Sequence, residues 1–436
     1  MVSTTDAAAP ETTSSGFRWL QLVMGIVCMA MIANLQYGWT LFVDPIDAKY
    51  HWGRAAIQLA FTLFVVTETW LVPVEAWFVD KYGPRAVIMF GGVMISIAWV
   101  MNSYADSLVL LYIAAIVAGI GAGSVYGTCV GNALKWFPDR RGLAAGATAA
   151  GFGAGAAITV VPIANMIAAS GYQHAFLTFG IGQGVVVFIL AFFMRKPSHA
   201  MPVKKKQLNL PQTKIDFTPP QVLRSPIFWV MYLVFVMVAA GGLMAAAQIA
   251  PIAKDFKIAN EPVGILGFQM AALTFAISLD RIFDGFGRPF FGWVSDTIGR
   301  ENTMFIAFGT AALMLLTLSM YGHIPIVFVL ATAVYFGVFG EIYSLFPATS
   351  GDTFGAKYAT TNNGMLYTAK GTASLLVPLA SIVATSYGWQ AVFVIAVALN
   401  ATAALTALLV IKPMRRAFIL GHEAATEARA RDVRAA

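Results

Sequence analysis

The sequence predicts an all-α membrane protein with 12 transmembrane helices in two pseudo-symmetric six-helix halves. Hydrophobic residues make up 58% of the chain and charged residues 11%, with a mean hydropathy of +0.73, whereas soluble proteins are about 25% charged. Apolar runs of about 20 residues, long enough to cross a bilayer, recur along the chain. Short motifs also recur at a nearly constant spacing, which indicates that one half repeats the other.

The apolar runs predict the domain organisation. They lie at roughly 19–43, 56–79, 86–105, 108–133, 143–169, 174–194, 226–250, 263–294, 302–321, 324–349, 361–386 and 388–411. They leave a tail at 1–18, a half at 19–194, a linker at 195–225, a half at 226–411 and a tail at 412–436. The first tail is rich in Ala, Thr and Ser and has no basic stretch, so we expect a disordered cytosolic segment rather than a signal peptide.

The basic residues predict the orientation. Most of the 28 Lys and Arg residues fall in the tails, the linker and the loops on their side of the membrane. Lys49, Arg54, Lys254 and Lys257 are on the other side. Because cytoplasmic loops carry the excess of basic residues, both termini are expected in the cytoplasm. The linker holds five prolines and seven basic residues, so we expect it to contact anionic lipid headgroups.

Three pairs of motifs support the repeat. The motif FVDKYGPR follows the second run and WVSDTIGR follows the eighth, with their aspartates 216 residues apart. GYQHAF and GWQAVF open the sixth and twelfth runs, 217 residues apart, and WFP and LFP end the fourth and tenth, 209 apart. In repeat-built membrane proteins the central site lies between the halves.

The first motif pair predicts a gate. An aspartate at a helix end can pair with an arginine and cap a neighbouring helix, and a glycine permits the tight turn. An ordinary polar turn is the alternative interpretation. The predicted gating residues are Asp80, Gly83, Arg85, Asp296, Gly299 and Arg300.

Two cations lie deep inside predicted spans. Arg288 is eight residues before Asp296, roughly 12 Å from that end, and Lys370 is roughly 15 Å into its own span. A charge at the bilayer centre costs roughly 2.5–3.5 kcal/mol on insertion scales, so such residues usually have a function. At one depth, the planar fork of Arg288 and the point charge of Lys370 could bind a small dianion or a carboxylate.

Nearby acids offer a second interpretation, in which the cations are paired structurally. Asp284 and Arg288 are four residues apart on one helix face, so a direct pair is expected. The possible coupling or charge-balancing residues are Asp280, Asp284, Glu341 and Glu68.

Aromatic and amide side chains complete the predicted substrate site. Tyr367 lies three residues before Lys370 and shares its face, and a tyrosine can donate a hydrogen bond to a carboxylate. The other candidates are Gln36, Tyr37, Tyr126 and Tyr343. For any one aromatic residue, packing is the alternative role.

These motifs resemble those of the major facilitator superfamily and, within it, the oxalate:formate antiporter family. The resemblance covers residues 17–412 and rests on NLQYGWTLF, FVDKYGPR, KWFPDRRGLAAG, GRPFFGWVSDTIGR, YSLFPATSGDTFG and YTAKGTAS. It implies that Arg288 and Lys370 bind a dicarboxylate inside an aromatic cage of Tyr37, Tyr343 and Tyr367, with Gln36 nearby. Phe339 and Tyr367 stand where the family's oxalate transporter has tryptophans. The setting implied is a multi-pass protein of the bacterial inner membrane.

The function expected is exchange of oxalate for formate by alternating access. Proton-coupled monocarboxylate transport is the alternative, and a carboxylate sensor that does not transport is a third hypothesis. No HExxH, P-loop or GxSxG motif and no metal-ligand cluster occurs in the sequence, so an enzyme, a cofactor, a metal and a nucleic-acid partner are not expected. We expect a functional monomer whose partners are small carboxylates (oxalate and formate) and membrane lipid.

Overall fold

The computed structural model describes residues 15–197, 211–265 and 267–435, and these residues are mainly helical. The predicted tail at 1–18 lies outside the described residues as far as residue 14, and a helix begins at Ser15. The central part of the linker, residues 198–210, is also outside the described residues.

Eight helices cover the first six predicted spans. They are α1 Ser15–Tyr37, α2 Thr40–Tyr50, α3 Arg54–Trp70, α4 Val72–Tyr82, α5 Pro84–Tyr104, α6 Leu108–Trp136, α7 Arg141–Ser170 and α8 Tyr172–Ala191. Gly83 ends α4 with φ 92° and Gly171 ends α7 with φ 83°. A side chain rarely adopts this backbone conformation, which is why glycine terminates both helices.

The linker and the second half follow the same helical plan. Their elements are α9 Pro219–Leu223, α10 Pro226–Asp255, β1 Pro262–Ile265, β2 Phe268–Ala271, α11 Ala272–Ile298, α12 Arg300–Tyr321, α13 Pro325–Phe339, α14 Ile342–Phe354, α15 Ala359–Ser374, α16 Val377–Thr406, a π-helical turn Ala407–Ile411 and α17 Lys412–Ala435. The π-helical turn joins α16 to α17.

The predicted span 263–294 is wrong at its start. Here β1 and β2 pair as antiparallel strands, with Pro262 opposite Ala271 and Ile265 opposite Phe268. Pro262 cannot continue a helix from α10, and Gly267 has φ 86°, which suits a tight turn. Helix α11 therefore begins only at Ala272, nine residues after the predicted start of the span.

Ten stretches of the described chain are long and apolar enough to cross a membrane. The two predicted spans absent from this set are those built around α11 and α15. Helix α11 carries Asp280, Arg281, Asp284 and Arg288 within its length, and α15 has only 16 residues. In α11, the charges that the sequence points to as functional lower the apparent capacity to cross a bilayer, whereas α15 is too short by itself.

Four of the predicted spans contain a break in the helix in the described part of the chain. The breaks lie between α1 and α2 at Gly38–Trp39, between α3 and α4 at Leu71, between α13 and α14 at Gly340–Glu341, and between α15 and α16 at Leu375–Leu376. Irregular backbone at membrane depth is tolerated where it is buried in protein or lines a polar cavity. The breaks therefore mark where a site can be built.

The two halves meet backbone to backbone at one end. We call this end the linker face, because α9, the start of α1 and α17 all lie there; Arg18, near the start of α1, pairs with Asp139, and Arg415 of α17 with Glu301. A Cβ added to Gly142 of α7 would collide with the Gly292 carbonyl of α11, and one added to Gly292 would collide with the Gly142 carbonyl. Small residues allow this approach, so the linker face is closed.

Candidate functional site

Arg288 lies at the centre of the molecule and is fully paired. Its Nη2 is 2.7 Å and its Nε 3.3 Å from the two carboxylate oxygens of Asp284, one turn earlier on α11. Its Nη1 donates to the Ala149 carbonyl of α7 at 2.9 Å. The side chain is 2% exposed. A guanidinium held on both edges in this way is fixed in direction, and it joins the second half to the backbone of the first.

Lys370 is also paired, but across the interface between the halves. Its Nζ lies 3.0 and 3.3 Å from the two carboxylate oxygens of Glu68 on α3. It also donates to the Gln36 side-chain carbonyl at 3.2 Å and to the Tyr367 hydroxyl at 3.0 Å. The Tyr367 hydroxyl in turn donates to Glu68 at 3.2 Å. Four polar side chains from three helices thus form one closed network.

Aromatic rings enclose the two cations. The Tyr343 ring faces the Arg288 guanidinium at 5.0 Å and the Lys370 ammonium at 6.0 Å, so both cations border one ring. Tyr126 stacks on Tyr367 with centroids 4.6 Å apart. Phe152 of α7 lies 5.8 Å from the ammonium. Such faces attract cations by about 0.5–2 kcal/mol each and exclude water from the site.

Phe152 was not predicted from the sequence. It sits in the glycine-rich run of α7 and contacts both Tyr37 and Tyr126, at centroid distances of 5.3 and 5.6 Å. The sequence signal that could have identified Phe152 is its size, since it is a single large residue among the small residues of this run. Tyr37 also lies under the guanidinium of Arg281, 5.1 Å from the ring centroid. That contact joins α1 to α11 on the side of the site away from the linker face.

The site is electrically balanced rather than cationic. Each central cation has one carboxylate, so two buried pairs replace the pool of positive charge that two isolated cations would create. Exchanging one carboxylate for another at such a pair needs less reorganisation than bringing a new charge into an apolar core. The arrangement can therefore accept a carboxylate ligand if an internal acid moves aside or is neutralised.

Two further predicted acids lie nearby, and neither forms an ion pair among the described residues. Glu341, at the break between α13 and α14, is fully buried, and neither carboxylate oxygen has a hydrogen-bond partner among the described residues. The neighbouring Gly340 packs against both Asp284 and Arg288, which places Glu341 beside that pair. Asp280 is buried two turns before Arg288, close to Arg281 and the Thr332 hydroxyl.

The second predicted gating motif joins the two halves through a charged helix cap, which we call a latch. Both carboxylate oxygens of Asp296 accept from the first free amides of α7, Gly142 N at 3.0 Å and Leu143 N at 2.9 Å, and Arg300 Nη1 lies 2.6 Å from the same carboxylate. A carboxylate at a helix N-terminus satisfies free N–H groups and the helix dipole. Gly299 makes the turn with φ 103°. The second half thus caps a helix of the first.

The first motif forms the matching latch with a different partner. Asp80 accepts from the backbone N and the hydroxyl of Thr361, at the start of α15, at 2.8 and 2.6 Å. Its cation is Lys135 at 2.5 Å; the predicted pairing with Arg85 is wrong, since that guanidinium stacks on Phe192 at 4.8 Å. Lys135, at the end of α6, comes close enough because α6 continues one turn past the predicted span.

Asp352 joins the latches to the rest of the linker face. It accepts from Arg141 of α7 at 2.7 Å, from Arg300 at 2.9 Å and from Gln212 of the linker at 2.8 Å. Asp352 lies in the last turn of α14, just before Phe354 and Gly355. This short pattern was too weak a signal to predict its role from the sequence. The two latches and this junction hold the halves together on the linker face, and the central site lies behind them.

The comparisons with known proteins agree with this architecture. The chain matches the family model of the Major Facilitator Superfamily over residues 22–378 and 265–433. It is 37% identical over 415 residues to the oxalate:formate antiporter of Oxalobacter formigenes, covering 93% of this chain and 96% of that protein. It is also 28% identical over 137 residues to the human monocarboxylate transporter 11, covering 31% of this chain and 29% of that one.

A solved structure with the same fold is the fucose:proton symporter FucP of E. coli, with a TM-score of 0.64 over 88% of this chain and 97% of that chain. The two are 13% identical, so this likeness concerns the fold alone. It confirms the predicted fold class of two six-helix halves.

Proposed function

Because this chain belongs to the oxalate:formate antiporter family of the Major Facilitator Superfamily, we propose that it exchanges oxalate for formate across a membrane. It is a multi-pass secondary transporter rather than an enzyme. The observation that carries the choice of substrate class is the placement of Arg288 and Lys370 around the ring of Tyr343, between the halves.

The exchange follows from the pairing chemistry. One carboxylate of oxalate would use the planar fork of Arg288 and the other the ammonium of Lys370, with Tyr367 and Gln36 donating to its oxygens. The rings of Tyr37, Tyr126 and Tyr343 would cover its faces. Formate, with one carboxylate, would occupy the same site in part.

Alternating access needs the closed linker face to open. The latches built on Asp80 and Asp296 would release the starts of α15 and α7, and the halves would rock about the central site. Gly83 and Gly299 would permit the loops to turn, and Arg300 would keep Asp296 in place. Arg85, whose guanidinium lies over the Phe192 ring within the same half, takes no part in the latch on Asp80.

The basic residues support the orientation. We assign the linker face to the cytoplasm because most basic residues lie there, and we propose the bacterial inner membrane because of the similarity to the antiporter of Oxalobacter formigenes. The halves at 19–194 and 226–411 would then each move as a unit, joined by the linker at 195–225 against anionic headgroups. A monomer contains the whole site.

The test is counterflow in proteoliposomes that hold purified protein. With no pH gradient imposed, labelled oxalate should enter vesicles loaded with formate or oxalate much faster than it enters empty vesicles. Arg288→Ala and Lys370→Ala should each abolish this uptake. Native uptake in both variants would refute the site, and no counterflow by the native protein would refute the substrate assignment.

One structural observation favours proton-coupled monocarboxylate transport as a second candidate. Lys370 already has a carboxylate, so a single substrate carboxylate at Arg288 could suffice, and the similarity to a human monocarboxylate transporter points in the same direction. Uptake of labelled lactate or formate into empty vesicles under a pH gradient, with no oxalate counterflow, would support this candidate instead.

A further inference from the structure

The Glu68–Lys370 pair sets a condition on substrate binding. Glu68 is 0% exposed and holds Lys370 through both carboxylate oxygens. A substrate carboxylate that binds Lys370 takes the place of this internal carboxylate. Glu68 would then be a buried anion beside a second anion without a cation of its own, a costly arrangement.

The surroundings of Glu68 leave it few ways to be neutralised. The titratable groups that face it are Lys370 and Tyr367 on α15, Tyr126 on α6 and Glu75 on α4. Tyr343 on α14 borders Lys370. In the described part of the chain Lys370 is the only cation that pairs with Glu68. Once that cation is taken by substrate, uptake of a proton is the remaining way to remove the charge.

Glu75 lies further along the same span, toward the linker face. Its carboxyl sits beside the Ser124 hydroxyl of α6, both oxygens are buried, and no cation pairs with it among the residues described. A Cβ added to Gly123 would meet the Glu68 carbonyl at 2.7 Å and Glu75 Oε2 at 2.8 Å. One glycine of α6 therefore packs against both residues. A buried carboxyl without a cation is much less costly with a proton than without one.

We propose that Glu68 takes up a proton when a carboxylate occupies Lys370, and that Glu75 passes this proton toward the linker face when the carboxylate leaves. The protein then catalyses net uptake of a carboxylate together with a proton, in addition to exchange. This inference rests on the proposed carboxylate transport and names its coupling residues.

The proton balance closes over one cycle. On the open side, substrate binds Lys370 and an O–H bond forms on Glu68 with a proton from water. After the halves rock and substrate leaves, Lys370 re-pairs with Glu68, which releases that proton. Glu75 gives its own proton to water at the linker face and receives the one from Glu68. One carboxylate and one proton cross, and both glutamates return to their starting forms.

The balanced empty site makes the return step feasible. With Glu68 back on Lys370 and Asp284 on Arg288, no cation crosses without an anion, so the empty carrier can reorient. A site with two unpaired cations would instead cross only when loaded, which limits a carrier to exchange.

The experiment compares two assays in the same proteoliposomes with the membrane potential clamped. The first is counterflow of labelled oxalate or formate. The second is uptake of labelled formate or lactate into vesicles without internal substrate under an imposed inward proton gradient, with internal acidification followed by a trapped pH dye. Variants are Glu68→Gln, Glu68→Asp and Glu75→Gln. Asp44→Asn, an exposed acid on the opposite face that pairs with Arg54, is the matched control.

The native protein and Asp44→Asn should show gradient-driven uptake with proton entry, as should Glu68→Asp, which keeps a titratable group. Glu68→Gln should lower gradient-driven uptake at least ten-fold more than it lowers counterflow, and Glu75→Gln should also lower gradient-driven uptake more than counterflow. Counterflow by the native protein with no response to the gradient would overturn this inference alone. Full gradient response in Glu68→Gln would also overturn it. Absence of both activities in the native protein would refute the proposed function itself.

Discussion

The two buried ion pairs of the central site differ in how they are built. Arg288 and Asp284 lie one turn apart on α11, within one half, and can move together as the halves rock. Lys370 and Glu68 are 302 residues apart in sequence and belong to different halves. The local pair is a fixed feature of one helix, whereas the cross-half pair depends on the relative position of the halves.

This difference indicates that the two ion pairs have different roles. Arg288 can anchor a substrate in every conformation, because its supporting acid travels with it. The pairing of Lys370 with Glu68 depends on whether the site is filled, because a bound carboxylate competes with Glu68 for the ammonium. The pair across the interface is therefore the one through which binding can influence the movement of the halves.

The largest effect should come from breaking the local pair. Arg288→Ala leaves Asp284 buried without its cation, which costs about 3–5 kcal/mol of stability, and should lower exchange by at least about 100-fold, corresponding to about 2.7 kcal/mol. The double variant Arg288→Ala/Asp284→Ala should recover most of the stability but not the exchange. Thermal unfolding in detergent and oxalate counterflow measure the two quantities. Native exchange in the double variant would show that Arg288 is structural only.

The cross-half pair should show a smaller but distinct coupling. A double-mutant cycle of Glu68→Ala and Lys370→Ala, followed by thermal unfolding, should give about 1–3 kcal/mol, within the range for contacting residues. The exposed pair Asp44–Arg54 supplies the control cycle, for which about 0.2–1 kcal/mol is expected. Equal coupling in the two cycles would show that the Glu68–Lys370 pair contributes no more than an exposed surface pair.

The latches sharpen the comparison because they hold the conformation in which Glu68 meets Lys370. Asp296→Asn or Asp80→Asn removes a charged cap, each worth about 0.5–1.5 kcal/mol, so opening of the linker face should increase about 2- to 12-fold. A cysteine placed at Thr360, which is buried against Gly131 of the other half, reports opening through its rate of alkylation. Arg85→Ala is the control and should leave the rate unchanged; an equal rise there would contradict the latch assignment.

The smallest effect should come from the hydroxyl that both partners of the cross-half pair share. Tyr367→Phe keeps the stacking on Tyr126 but removes hydrogen bonds to Lys370 and Glu68. A loss of about 1 kcal/mol should raise the KM for counterflow about 5-fold with little change in folding. Tyr112→Phe, which loses a hydroxyl bond to the Ala56 carbonyl away from the site, should leave KM unchanged. Equal changes in KM for the two variants would show that the effect does not depend on the position of the hydroxyl at the site.

Sequence reasoning succeeded where the physical signal is local. Long apolar runs require membrane helices, and an Asp four residues before an Arg on one helix predicts the pair that Asp284 and Arg288 form. Glycines at helix ends predicted the turns at Gly83 and Gly299. These features need only the neighbouring sequence, so one chain was enough to predict them.

Sequence reasoning failed where the partner is distant in the chain. No pattern around Glu68 indicates that it meets Lys370, and none around Lys135 indicates that it replaces Arg85 on Asp80. The strand pair of β1 and β2 was missed because its apolar residues continue the hydrophobic run, while Pro262 and Gly267 interrupt the helix. Such pairings arise from how the two halves pack, which depends on all of their helices at once.

The most direct test of the central claim is a structure of the protein determined with oxalate bound. The quantity to measure is the distance from Lys370 Nζ to the Glu68 carboxylate. Our account predicts oxalate oxygens within about 3 Å of both Arg288 and Lys370, with Glu68 withdrawn from Lys370 beyond hydrogen-bond reach. Oxalate bound elsewhere, with the Glu68–Lys370 pair unchanged at 3.0 Å, would contradict it.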